Sequence, residues 1–141
     1  MNQRRLEPPG GDAPPTSAWL ADDELDLVPL AHEICRRYRD EFPDEQERYG
    51  KPGELWCVHD NQCLLYWACE AASGFLDMQR EVGWLASVLE ARDFPIDRLV
   101  RNLQIGAEVV RGELNKTQGE QVSDALTDAA EFVRSRGTFL D

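Results

Sequence analysis

Apolar positions along the chain recur at helical spacing in five stretches. Leu30, Ala31, Ile34, Cys35, Tyr38 and Phe42 share one helical face, and Pro43 stops the run. Pro29 is tolerable only in the opening turn of that helix, behind an acidic approach of Asp22, Asp23, Glu24 and Asp26. Asp44 caps a short acidic turn through Tyr49, ended by Gly50, and Pro52 and Gly53 mark a break. A second long helix follows over about 54–73. Its middle, Cys63 to Cys69, is apolar on every side, which predicts a helix surrounded by protein at the centre of the fold.

Gly74 ends that helix and the next begins almost at once, with Phe75, Met78, Val82, Leu85, Ala86 and Leu89 on one stripe and Trp84 and Val88 beside it. So short a connection predicts two neighbouring helices with a sharp reversal. After the break at Asp93 to Pro95, a fourth helix carries Ile96, Leu99, Val100, Leu103, Ala107, Val110 and Leu114. Gly106 inside it is explained by close approach of another helix. Thr117 with Glu120 reads as a capping box for a fifth helix, which bears Val122, Ala125, Leu126, Ala129 and Val133 and closes at Gly137. No stretch sustains period-two alternation. The expected fold is all-α: a single domain of about five main helices over 18–141, in bundle or globin-like packing. Residues 1–17, with paired prolines and glycines and little to bury, are expected to form a flexible tail.

Composition narrows the function classes. Among 141 residues, 27 Asp and Glu stand against 15 Lys and Arg, a net charge of −12. Nucleic acids and anionic membrane surfaces both require clustered positive charge, so neither is expected as a partner. The run Cys63 to Cys69 is the longest apolar stretch, far short of the roughly 20 residues of a spanning helix. The basic cluster Arg36, Arg37 and Arg39 lies among Glu33, Asp40 and Glu41 and reads as a salt-bridged surface. Cys35, Cys57, Cys63 and Cys69 form no CxxC pair, and the last three, six apart, share no helical face. With no secretory pattern at the N-terminus, they are expected to be reduced thiols in a cytoplasmic protein.

The entrance to the second helix is the one segment rich in candidate chemistry. His59, Cys63, Tyr66 and Glu70 make a continuous stripe at spacings of four, three and four, and Trp56, Asp60 and Trp67 make a neighbouring one. Imidazole, thiol, phenol and carboxylate flanked by indoles suit a ligand-binding groove, with Trp84 as a wall from the next helix. The plain structural alternative is that His59 and Asp60 lie in the early turns, where an acid suits the helix dipole, and merely hydrogen-bond neighbouring loops. Convergence of His32 and Glu33 with His59 and Asp60 on a metal ion lacks the Glu-x-x-His pattern of bundle di-iron sites. Activation of Cys63 by His59 lacks an orienting group and oxyanion donors. Walker A, GxGxxG, GxSxG and CxxCH motifs are all absent, and the sequence specifies no cofactor.

Several short motifs carry a family likeness: Glu47-Arg48-Tyr49-Gly50, Cys57 with Asp60 and the apolar run to Trp67, Val82 through Arg92, and Phe94-Pro95 before an amphipathic helix. Over about 30–114 the chain resembles the helical domain found ahead of cobalamin-binding modules and in related bacterial sensory proteins. Leu64 stands where that family has a histidine, four residues after the aspartate, and the cobalt-ligating DxHxxG loop is absent from the chain. The resemblance implies a sensory or partner-binding helical domain rather than a catalyst. The expected function is therefore non-enzymatic regulation, by binding a small-molecule ligand or protein partner in a groove beside the second helix. The alternatives are a small helical enzyme or cofactor or metal carrier using His59, Asp60 and Cys63, and a homodimeric assembly protein.

Overall fold

Two short strands precede five helices in this computed structural model, which describes residues 6–140. Strands β1 (Ser17–Leu20) and β2 (Asp23–Asp26) pair antiparallel, with Ala18 opposite Leu25 and Trp19 opposite Glu24. The pleat sends Ala18, Leu20 and Leu25 into the core and leaves Trp19 outside. The fold is mainly α with five helices, as expected, and the hairpin is a small addition that the helical pattern does not announce. The strands are four residues each, too short for alternation to register, and the second is almost entirely acidic. Asp26 then turns the chain into helix α1 (Leu27–Glu41) by accepting from the Val28 amide at 3.2 Å, with Pro29 in the first turn as anticipated.

Helix α2 spans Asp44–Ala72 but is broken at Gly50, whose φ of 62° and ψ of −155° are open essentially to glycine alone. The acidic turn and the long helix expected separately are thus two helices that run on through a kink, with Pro52 in the opening turn of the second. Gly74, also at positive φ, reverses the chain into α3 (Met78–Ala91). The start of α3 is three residues later than the apolar pattern suggested. Asp77 caps it, accepting from the Gln79 amide, so Phe75 stays in the connection, pointing outward rather than joining the buried stripe.

Helices α4 (Ile96–Glu113) and α5 (Lys116–Arg136) form the most extensive packing. Asn115, not Thr117, caps α5, its side chain accepting from the Gln118 amide at 2.9 Å. The expected capping box does not form: the N-cap lies two residues earlier, and the Gln118 side chain donates to Asp23 instead of reaching back to the cap. The centre also moves. Cys63, Tyr66 and Trp67 on α2 remain half-exposed, whereas α4 buries residues all round, from Leu99 and Val100 through Asn102, Leu103 and Ile105 to Val110. The apolar run in α2 mixes core residues Leu64, Leu65, Ala68 and Cys69 with an aromatic outer face.

Of the expected tail, residues 1–5 lie outside the described residues. Residues 6–16 form neither helix nor strand, and they are tied to α2 at two points. The Trp56 indole donates to the Glu7 carbonyl at 2.6 Å, and Gln62 Nε2 donates to the Pro15 carbonyl at 3.0 Å.

Candidate functional site

The stripe along α2 does not converge on one cavity; it divides in two. At the start of its second helical segment, His59 Nδ1 lies 3.2 Å from Asp60 Oδ1, and the Trp56 and His59 rings meet edge-on at 5.1 Å. The Arg92 guanidinium lies 5.9 Å from the Trp56 ring centre. The side chains of His59 and Asp60 are 21% and 24% exposed, half-buried groups in contact with each other. His32 is exposed on α1, and Glu33 is held by Arg36 and Arg37. Among the described residues no three His, Cys, Asp or Glu side chains come together as a metal site.

The thiols are free and sheltered. Burial pushes Cys63 up to about 11 and Cys69 up to about 12, and Cys57 is raised by hydrogen bonding to Cys35 together with burial. Protonated thiols of this kind are poor nucleophiles at neutral pH, which weighs against catalysis by Cys63.

At the other end of α2, Tyr66 and Glu70 line an open groove of about 720 Å³ with Trp19, Ala21, Ser73, Phe75 and Leu76. The hairpin supplies one wall and the α2–α3 corner the other. Trp19 is 59% exposed and Phe75 81% exposed, the two largest apolar side chains left in solvent at this end of the molecule. Hydrogen bonding to the Glu70 carboxylate, reinforced by its charge, raises the Tyr66 phenol above its ordinary range. A second groove, of about 560 Å³, runs between α3, α4 and α5 past Glu90, Phe94, Asp97, Val100 and Val133. Neither groove is lined by Trp56, His59, Asp60, Cys63, Trp67 or Trp84. Trp67 packs against the core, and Trp84 stands 60% exposed on α3 without walling a pocket beside α2. The wall instead comes from Trp19, which lies in a segment the helical pattern leaves unassigned, and from Phe75. Only the exposure of two large aromatics near chain reversals could have signalled it.

Two polar clusters away from the groove tie α2 to α4. In the core, Asn61 and Asn102 exchange amide hydrogen bonds at 3.1 and 2.9 Å, joining α2 to α4. Asn61 Nδ2 also donates to the Cys57 carbonyl at 3.0 Å, and the sulfur atoms of Cys35 and Cys57 lie 3.4 and 3.6 Å from it. At the edge, Arg98 of α4 pairs with Glu45 at 2.6 Å and with Asp44 at 2.9 Å while lying 4.5 Å from the centre of the Phe42 ring. Both clusters connect helices far apart in sequence, which is why spacing along one helix does not reveal them.

Comparison of the chain with protein-family models, with curated proteins and with solved structures finds no match.

Proposed function

We propose that this chain is a non-enzymatic binding domain that docks a segment of a basic partner protein in the groove beside the C-terminal half of α2. The observation that carries this reading is the pair of exposed aromatics, Trp19 and Phe75, flanking a groove that Tyr66 and Glu70 line. Large exposed rings at a concavity are the usual anchors of protein recognition, since they supply contact area at low cost in side-chain entropy. The groove is open, so it covers one side of its occupant, as a protein segment requires; small-molecule sites enclose most of their ligand. Asp22 and Asp23 in the adjacent hairpin, with the overall charge of −12, favour encounter with a positively charged partner.

The test is selection of a random twelve-residue peptide library displayed on phage against the whole chain. Enriched peptides should lose at least about tenfold in affinity for the double variant Trp19→Ala, Phe75→Ala, whose helical circular dichroism and melting midpoint should stay close to the parent because both rings are solvent-exposed. Selection that returns no peptide dependent on these two residues would sink the reading. So would light scattering that shows a dimer broken by the same double variant, since a second copy would then occupy the groove.

A further inference from the structure

Ten of the 26 acids among the described residues stand in ion pairs. Glu33 is paired with Arg36 and Arg37, Asp44 and Glu45 with Arg98, Glu41 and Glu108 with Arg101, and Glu131 with Arg134. Glu70 differs. It is half-buried, it is the one ionisable carboxylate lining the groove, and among the described residues it is in no ion pair with Lys, Arg or His. Its surroundings are Tyr66 on its own helix, whose hydroxyl donates to it, Trp19 from the hairpin and Phe75 from the corner, so its remaining acceptor capacity faces the groove without a counter-charge.

A carboxylate partly withdrawn from water loses solvation that a counter-charge would restore. Aromatic faces are poor partners for an anion and good ones for a cation, because the ring quadrupole places negative potential on the face. One carboxylate among three aromatic side chains is therefore matched to a positively charged group carrying an apolar stem. Lysine and arginine side chains have that form, with methylenes to lie along the rings and a head group to meet the acid.

We infer that the groove is a cation seat, in which the ammonium of a lysine or the guanidinium of an arginine from the bound segment pairs with Glu70 while its stem packs against Trp19 and Phe75. This rests on the partner-binding reading above and adds the side-chain chemistry of the contact. Phosphorylated or acidic segments are excluded as occupants, since they would place like charge against Glu70.

The same peptide selection separates the two claims. Among enriched peptides that depend on Trp19 and Phe75, a Lys or Arg should recur at one position. A synthetic peptide of that consensus, titrated by isothermal calorimetry, should lose about tenfold or more in affinity when the protein carries Glu70→Gln, and a similar factor when its own basic residue is replaced by norleucine. Both changes together should cost little more than either alone, because they remove one shared contact. Glu47→Gln, an equal change in charge at an exposed position in the first turn of α2, far from the groove lining, should alter affinity less than twofold. Groove-dependent peptides without a recurring basic residue would overturn the cation seat while leaving the docking groove intact. So would full binding to Glu70→Gln, or losses that simply add. A failure to enrich any groove-dependent peptide would remove both claims.

Discussion

At the scale of single residues, the side chains that matter most for stability are polar and buried. Asn61 and Asn102 are each almost wholly enclosed, and each satisfies the other's amide. Removing Asn102 orphans the buried Asn61 carbonyl oxygen while Asn61 Nδ2 keeps the Cys57 carbonyl, and removing Asn61 orphans both the donor and the acceptor of Asn102, so the penalty falls on the group left behind rather than on the deleted one. Asn102→Ala is expected to lower the unfolding free energy by about 2 kcal/mol, and Asn61→Ala by a similar amount. The double variant should lie close to the more damaging single change rather than at the sum. Urea unfolding followed by circular dichroism checks all three, and strict additivity would show that the two amides act independently. The thiols at 35 and 57 occupy the same cluster as soft neighbours of Asn61, which accounts for two of the four cysteines as packing groups.

At the scale of elements, close approach of helices is set by two glycines of unequal strictness. A Cβ on Gly106 would sit 3.4 Å from Leu126 Cδ1 and 3.6 Å from Ile34 Cδ1, ends of flexible side chains, so the expected close packing is present but yielding. A Cβ on Gly119 would meet the Val110 carbonyl at 3.1 Å and the Arg111 Cα at 3.3 Å, and backbone does not yield cheaply. Gly106→Ala should therefore be neutral or stabilising by up to about 1 kcal/mol, through better helix propensity. Gly119→Ala should cost about 1–2 kcal/mol by lifting α5 off the end of α4. Thermal melts of the two variants check the ordering, and a stable Gly119→Ala protein would show that the helices can slide apart freely. The same contrast bears on what the chain makes legible. Gly106 announces itself inside a periodic helix, as do the breaks at Pro43, Gly50, Gly74 and Pro95, because each is a local conformational rule. Gly119 looks like an ordinary residue near a helix start, and its role depends on α4 being beside it. The hairpin is hidden for a similar reason, since Ala18, Leu20 and Leu25 count as core only once α1 and α2 cover them. The candidate site was legible only in part. Tyr66 and Glu70 follow from helix spacing, whereas Trp19 and Phe75 reach the groove through tertiary placement, and the His59 end of the stripe faces a different part of the surface.

At the scale of the whole molecule, the excess of acid predicts a stability profile with two descending limbs. Glu33 is held down to about 2 by hydrogen bonds from Arg36 and Arg37, and Glu41, Asp44 and Glu131 lie below their ordinary values through Arg101, Arg98 and Arg134. Glu90 is lowered by the Phe139 amide and the Thr138 hydroxyl, which bind the C-terminal segment to α3. A carboxyl group with a folded pKa below its unfolded value, near about 4.3 for Glu, stabilises the fold above that value, and the contribution vanishes as pH falls through the folded pKa. The acid limb should therefore run from about pH 4.5 towards about pH 2. Cys63 and Cys69 act with the opposite sign. Their folded values of about 11 and about 12 lie above the ordinary thiol value of 9.0, so the unfolded chain releases protons first. Stability is intact below pH 9 and declines as pH rises towards 11 and 12. Between the limbs, lowering the pH from 7 to 5 begins to neutralise some of the 27 acids and relieves the repulsion behind the net charge of −12, so the melting midpoint should be highest near pH 5. Thermal melts from pH 3 to pH 10 at fixed ionic strength test the profile. Raising salt at pH 7 should shift the midpoint upward, because screening weakens the net repulsion more than it weakens the pairs at 2.6 to 2.9 Å between Arg98, Glu45 and Asp44. A midpoint that rises steadily from pH 5 to pH 8 would mean that specific ion pairs outweigh the acidic excess, and the surface of this protein would then be better described by its arginines than by its net charge.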